Sequence, residues 1–245
     1  MSRIRSLIRR AVRRTGYDLQ KRRPNLVEVL DALGVRTVLD VGANVGQHAR
    51  GLRLGGYTGR IISFEPIAAA YEQLERAAAS DDRWQTVIAG LGDADGEATI
   101  NVSEFSVFSS LLPGLPHLRE FDQRSAVVRT ETIRVARLDT ILPTLGIPRE
   151  GLFLKLDVQG YEPRVLAGAA TILQTLVGLQ LEMSLEPMYS GQTSMGAMTT
   201  HLEGMGFRIV YIEPGVVDPV SKATLECDCV FAPGARAATA PGPDS

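Results

Sequence analysis

Along this chain the spacing of hydrophobic positions switches repeatedly between the helical and the strand period, and that alternation sets the predicted architecture. Residues 25–34, NLVEVLDALG, place apolar side chains three and four apart and stop at Gly34, as a glycine-terminated helix does. RTVLDV (36–41) is a short apolar run and predicts a strand. A glycine-bearing turn leads into a helix to about Leu54, broken by Gly55, Gly56 and Gly59. RIISFE (60–65) predicts a second strand, 67–80 an alanine-rich helix, and WQTVIA (84–89) a third strand. After the turn GDADG (92–96), EATINV (97–102) and ETIRVARL (131–138) predict two further strands. Between them, 103–130 has weak periodicity and contains Pro113, Gly114 and Pro116, so it predicts a long loop, a kind of segment that often carries function. GLFLKLDV (151–158) predicts a buried strand, 162–175 a helix, VGLQLEMSL (177–185) a strand and 195–205 a helix. FRIVYIE (207–213) and ECDCVFA (226–232) close the pattern as a strand pair.

Strands alternating with helices predict the α/β class, a doubly wound and mostly parallel sheet covered on both faces. A proline- and glycine-containing turn before the last strand predicts a hairpin, which makes one edge antiparallel. The organisation expected is a basic amphipathic segment over 1–24, one domain over 25–232, and a tail over 233–245, PGARAATAPGPDS, whose small and proline-rich composition predicts disorder.

Composition adds little except in its charge. The 245 residues are 44% hydrophobic, enough for one domain with a sizeable core. No apolar run reaches the roughly eighteen residues of a membrane span, and the start lacks the pattern of a signal peptide, so the cytoplasm is the expected compartment. The net charge of −2 hides an asymmetry: residues 1–23 hold nine Lys or Arg against Asp18 alone, on a body of 17 bases and 27 acids. Ile4, Leu7, Ile8, Ala11 and Val12 fall at helical spacing with arginines on the other face. Such a helix can dock over an active-site edge or rest on an anionic membrane surface such as the inner face of the cytoplasmic membrane. Liposome flotation with and without residues 1–23 tests the second idea, and equal partition would remove it. Nucleic acid is disfavoured as a partner, because the acidic body continues no basic track. Cys227 and Cys229 lack further ligands for zinc and are expected as reduced thiols on one strand face.

The strongest local signal is VLDVGANVG (38–46): an apolar strand ending in Asp40, then a turn with Gly42, Asn44 and Gly46 opening a helix. Ligands of open α/β sheets bind outside the carboxyl ends of the strands, where this turn must lie. Gly42 and Gly46 are expected to let the backbone approach a ligand. The second strand ends in Phe64-Glu65-Pro66, and a carboxylate there can accept both hydroxyls of a ribose. A dinucleotide turn prefers G-x-G-x-x-G, with pyrophosphate on the helix start. Here the spacing is G-x-x-x-G and an acid precedes it, which repels pyrophosphate and suits S-adenosylmethionine, a ligand with an ammonium, a sulfonium and no phosphate. Asp40, Gly42, Asn44 and Gly46 are expected along its methionine part, Glu65 and Pro66 at ribose, and Leu91, Gly92 and Asp93 around adenine. Ser109 and Ser110 are expected near the donor or the acceptor. An NAD-dependent oxidoreductase and a non-catalytic nucleoside-binding protein are the rival readings.

The second constellation is LKLDVQGYEPRVLAGA (154–169), a buried strand delivering Lys155 and Asp157, a turn at Gly160, and Glu162 opening the next helix. Together with VLDVGANVGQ, SFEP, GDADG, Ser109-Ser110, RLDTIL (137–142) and LQLEMS, it resembles the FkbM-type methyltransferases from about residue 36 to about 186. The resemblance implies a seven-stranded, Rossmann-like class I methyltransferase fold, O-methylation of a sugar, glycolipid or polyketide hydroxyl, and by family habit a homodimer. Members commonly read D-V-E-G where this chain reads D-V-Q-G, so Gln159 lacks a carboxylate that many relatives carry. Removing an alcohol proton calls for a base or a metal. Asp157 and His117 are the candidate bases. Glu182 is grouped with them, and a divalent ion such as magnesium held by Asp157 with Glu182 or Glu186 stays open, although no dedicated metal ligand set is assigned. His48 is expected to be structural or a side wall of the pocket, and His201 to be structural. Phe105, Phe108, Leu111, Leu112, Leu115 and Phe121 would line an apolar lid over the acceptor.

Overall fold

The computed structural model of the chain describes residues 24–218 and 221–234, together with residues 10, 12, 14 and 15. Apart from residues 10, 12, 14, 15 and 24, the expected basic helix over 1–24 lies outside the described residues, as do all but the first two residues of the expected tail. Among the described residues no helix is long and apolar enough to cross a membrane.

Asn25 opens the body as a reciprocal cap: its side chain accepts the Glu28 N–H at 2.9 Å, and Glu28 Oε2 accepts the Asn25 N–H at 3.0 Å. Helix α1 (Leu26–Ala32) is followed by β1 (Thr37–Val41), α2 (Gln47–Leu54), β2 (Arg60–Phe64), α3 (Ala68–Ala78), β3 (Trp84–Val87), β4 (Gly90–Leu91) and β5 (Gly96–Ser103). Then come α4 (Pro116–Phe121), β6 (Val127–Ala136), α5 (Leu138–Ile141), β7 (Leu152–Leu156), α6 (Glu162–Ala167), α7 (Ala170–Leu173), β8 (Leu176–Ser184), α8 (Met195–Gly204), β9 (Phe207–Pro214) and β10 (Glu226–Pro233).

Seven strands form the main sheet in the order β3-β2-β1-β7-β8-β10-β9. The first five are parallel; β10 runs antiparallel to both β8 and β9. The predicted antiparallel edge is therefore present, with β10 inserted between β8 and the edge strand. All five residues of β1 and of β7 are buried, as central parallel strands covered on both faces must be. Cys227 and Cys229 lie on one face of β10, buried and free, with their sulfurs 3.7 Å apart.

Three expectations change. The strands expected over 97–102 and 131–138 leave the main sheet and pair with β4 in a second sheet, β4-β6-β5. Its inner face, Ile100, Val102, Ile133 and Val135, packs on Ile67 and Ala70 at the start of α3. The expected 103–130 loop is instead largely folded. It holds 3-10 turns at Ser106–Phe108 and Gln123–Ser125, helix α4, and the first residues of β6. Pro116 at the first helical position and Asp122 accepting the Arg124 N–H at 2.9 Å punctuate that stretch where periodicity is silent. The helix expected over 162–175 breaks into α6 and α7 at Gly168, where the missing Cβ leaves room for the carbonyl oxygen of Gly92.

Candidate active site

The strand register brings together residues far apart in sequence. Asp40 on β1 lies opposite Ser63 on β2 and Lys155 on β7, and Lys155 lies opposite Gln180 on β8. These four form a polar row buried through the middle of an apolar sheet. Lys155 Nζ stands 3.2 Å from Asp40 Oδ1, 3.3 Å from Asp157 Oδ2 and 3.4 Å from the Gly42 carbonyl oxygen. Ser63 Oγ donates to Asp40 Oδ2 at 3.0 Å and accepts the Trp84 indole N–H at 2.9 Å. Burial opposes the charge on Lys155, but Asp40 and then Asp157 outweigh it and hold the ammonium above its ordinary range.

A cavity of about 540 Å³ opens over the carboxyl ends of these strands, within the range of small-ligand sites. Gly42, Asn44, Glu65, Pro66, Leu91, Ser109, Ser110, Asp157 and Glu182 all line it. Glu65 is buried; its two oxygens accept the N–H groups of Asn44 at 2.9 Å and Ile67 at 2.8 Å, which fixes the carboxylate while each oxygen keeps a free lone pair. Burial raises its pKa to about 7 against the pull of those two hydrogen bonds. The turn Phe105–Ser110 covers the opening. Ser106 Oγ donates to Asn44 Oδ1 at 2.9 Å, Phe105 packs edge-on to Phe108, and the Arg124 guanidinium, paired with Asp122, lies 4.6 Å over the Phe105 ring. Ser109 and Ser110 hold backbone: Ser109 Oγ accepts from the Ser103 N–H at 3.1 Å, and Ser110 Oγ donates to the Gln159 carbonyl at 2.7 Å.

Other predicted residues stand elsewhere. Asp40 is wholly buried under the cavity floor, where it anchors Lys155 and is not part of the wall. Gly42 is on the wall, but its missing Cβ makes room for the Asp157 carbonyl. Gly46, at φ 84°, presents its bare face to Trp84 and Leu74, so it packs α2 and lies off the wall. Gly92 lies under Val135 and Tyr161, and Asp93 forms a surface ion pair with Arg164 at 2.6 Å; neither lines the cavity. His117 sits on α4 with its Nε2 2.6 Å from the Pro187 carbonyl, away from the cavity wall. His48 does line the cavity, as its side-wall reading expects. Burial lowers its pKa to about 4, and its Nε2 is buried without a hydrogen-bond partner.

The acid end is richer than expected. Gln159 Nε2 donates to Asp157 Oδ1 at 2.8 Å and to Glu182 Oε2 at 2.7 Å. Burial and the charge of Asp157 push Glu182 well above the usual carboxylate range, whereas Lys155 and the Gln159 amide hold Asp157 below it despite burial. Glu226 and Asp228, both raised by burial and by Asp157, face the same cavity from β10. Sequence reasoning passed over this pair, yet the alternation E-C-D-C puts both acids on one face and both cysteines on the other. Glu186 is exposed. Among the described residues, no group of three or more His, Cys, Asp or Glu is arranged to hold a metal ion.

A seven-stranded sheet of this order, with a carboxylate closing β2 and a nucleoside-sized cavity above the carboxyl edge, defines a class I methyltransferase fold. Residues 40–209 match the methyltransferase FkbM domain. The chain belongs to that family and is a methyltransferase with S-adenosylmethionine as its methyl donor. Among solved structures it is similar to magnesium protoporphyrin IX methyltransferase from Synechocystis with bound S-adenosylmethionine, at 10% identity and a TM-score of 0.46, covering 88% of this chain and 87% of that one. It is also similar to an rRNA methylase from Streptococcus thermophilus, at 11% identity and a TM-score of 0.45, covering 88% and 99%. No curated protein matches the chain.

Proposed function

We propose that this methyltransferase acts on oxygen, methylating a hydroxyl of a sugar, glycolipid or polyketide-type acceptor. The observation that carries this reading is Asp157 on the cavity wall, 3.3 Å from the Lys155 ammonium and joined to Glu182 through the Gln159 amide. The donor fits the residues present. Glu65 would accept the ribose hydroxyls, the turn Gly42–Asn44 would flank the methionine part, Leu91 would lie against adenine, and the orphaned His48 Nε2 would gain a partner. When bound, S-adenosylmethionine supplies a methyl group already activated by its sulfonium. The chain must then hold the acceptor oxygen about 3–3.5 Å from that carbon and remove its proton. Asp157 accepts the proton, and the Phe105–Ser110 turn keeps water out.

Incubation with methyl-labelled donor and a panel of rhamnosides, fucosides, mannosides and polyketide alcohols tests the proposal. Label on oxygen is expected; transfer confined to amines or thiols would overturn it. S-adenosylhomocysteine should raise the melting temperature and NAD should not, which separates the oxidoreductase reading.

Glu65 yields a pH prediction. In the empty site its pKa is about 7, and the ionised form accepts the two ribose hydroxyls more strongly than the protonated one, whose O–H is a donor. Affinity for S-adenosylhomocysteine should therefore rise by about tenfold from pH 6 to pH 8 and level off above, since a pKa near 7 leaves about a tenth of the group ionised at pH 6. Calorimetry across that range measures it. Glu65→Gln should bind weakly at every pH with a flat profile; a slope that survives the substitution assigns the titration to another group.

A further inference from the structure

We propose that the carboxamide of Gln159 takes the place of a cation between Asp157 and Glu182, so that this acid pair works without a divalent metal ion and Gln159 is the residue that positions it. The inference rests on the proposed function only in placing the pair at the acceptor end of the cavity. Both hydrogens of Gln159 Nε2 are committed, one to Asp157 Oδ1 at 2.8 Å and one to Glu182 Oε2 at 2.7 Å. The amide orientation is set by its neighbours: its Oε1 accepts the Tyr189 hydroxyl at 2.8 Å, and reversal would set a carbonyl oxygen against the Asp157 carboxylate. The backbone is equally constrained. Gln159 has φ 54°, its carbonyl accepts the Ser110 hydroxyl at 2.7 Å, and the neighbouring N–H groups of Val158 and Gly160 both reach Glu162 Oε1 at 3.2 Å.

An amide at that point changes what the pair can bind. Hard divalent ions take oxygen ligands, and here the bridging atom between the two acids is a hydrogen-bearing nitrogen. The amide carries no net charge; burial and the charge of Asp157 raise the proton affinity of Glu182, while Lys155 balances Asp157 from the other side at 3.3 Å. The other groups facing the pair are occupied or neutral. Asp228 accepts from Gln180 Nε2 at 3.0 Å, Glu226 accepts from Ser184 Oγ at 3.3 Å, and the His48 ring is uncharged. In Gln159→Glu the same atoms would offer three carboxyl groups around one point, with no N–H between them.

The experiment compares manganese binding by the full chain and by Gln159→Glu, read from water-proton relaxation with S-adenosylhomocysteine binding as the control. The wild type should take up no stoichiometric manganese, and its methyl transfer should be unchanged by EDTA. Gln159→Glu should bind one ion at least tenfold more tightly, and adding Asp157→Asn should abolish that site. Asp157-dependent manganese binding by the wild type, or a folded Gln159→Glu that takes up none, would overturn the proposal. Gln159→Ala supplies a second readout. Without the amide, Asp157 gains proton affinity, so the lower pH midpoint of kcat should move up by about one unit, a tenfold change, with KM for the donor unchanged. An unmoved midpoint overturns the positioning role. Loss of S-adenosylhomocysteine binding by the wild type itself would instead count against the donor site.

Discussion

Asp157→Asn should lower kcat for methyl transfer by about 10²–10⁴-fold, the usual contribution of a positioned general base, while S-adenosylhomocysteine affinity changes by less than about threefold. The substitution keeps shape and removes the group proposed to accept the proton. Asp157 suits that task because Lys155 at 3.3 Å and the Gln159 amide at 2.8 Å favour its ionised form on a half-buried wall. Its neighbour Glu182 is pushed up by burial and by Asp157 itself. Steady-state kinetics on an identified acceptor, with calorimetry of the product-bound form, decide the matter. A loss below tenfold would move the base elsewhere, and His48 on the same wall would be the next residue to examine.

Lys155→Ala should cost about 3–5 kcal/mol of folding stability, the penalty for stranding a buried charge. Asp40 is fully buried, and the Lys155 ammonium at 3.2 Å is its charge partner, with Ser63 as its hydrogen-bond donor. For a chain of this size the loss corresponds to a fall of roughly 6–20 °C in Tm. Lys155→Met combined with Asp40→Leu should recover most of the stability, since well-packed apolar residues replace a buried ion pair at little cost. Urea unfolding of the three proteins is the measurement; a single substitution costing under about 1 kcal/mol would mean that water reaches Asp40.

Some of this site was legible in the one-dimensional pattern. β1 and β7 are short apolar runs that end in chemistry, and such runs can only be central strands of a covered sheet. The sheet's carboxyl edge followed from that, and with it the neighbourhood of Gly42, Glu65 and Asp157. Glu65 was legible because its position depends on β2 alone. Asp40 was legible as important, but its role was not: it neutralises Lys155, 115 positions away, and periodicity in β1 carries no information about which residue of β7 lies opposite. His117 looked available because the loop around it was unassigned; α4 and the Pro187 carbonyl take up its Nε2.

Local sequence, then, determined the element types, the parallel core and the strand ends at which ligands bind, because burial periodicity and turn chemistry act within a few residues. Register and packing decided the rest: that β5 and β6 form a separate sheet, that Gly46 serves Trp84, and that Asp157 and Glu182, 25 positions apart, meet at one glutamine amide. Those outcomes depend on pairing between segments tens of residues apart, whose energies are summed over the whole sheet and are written in no single stretch of the chain.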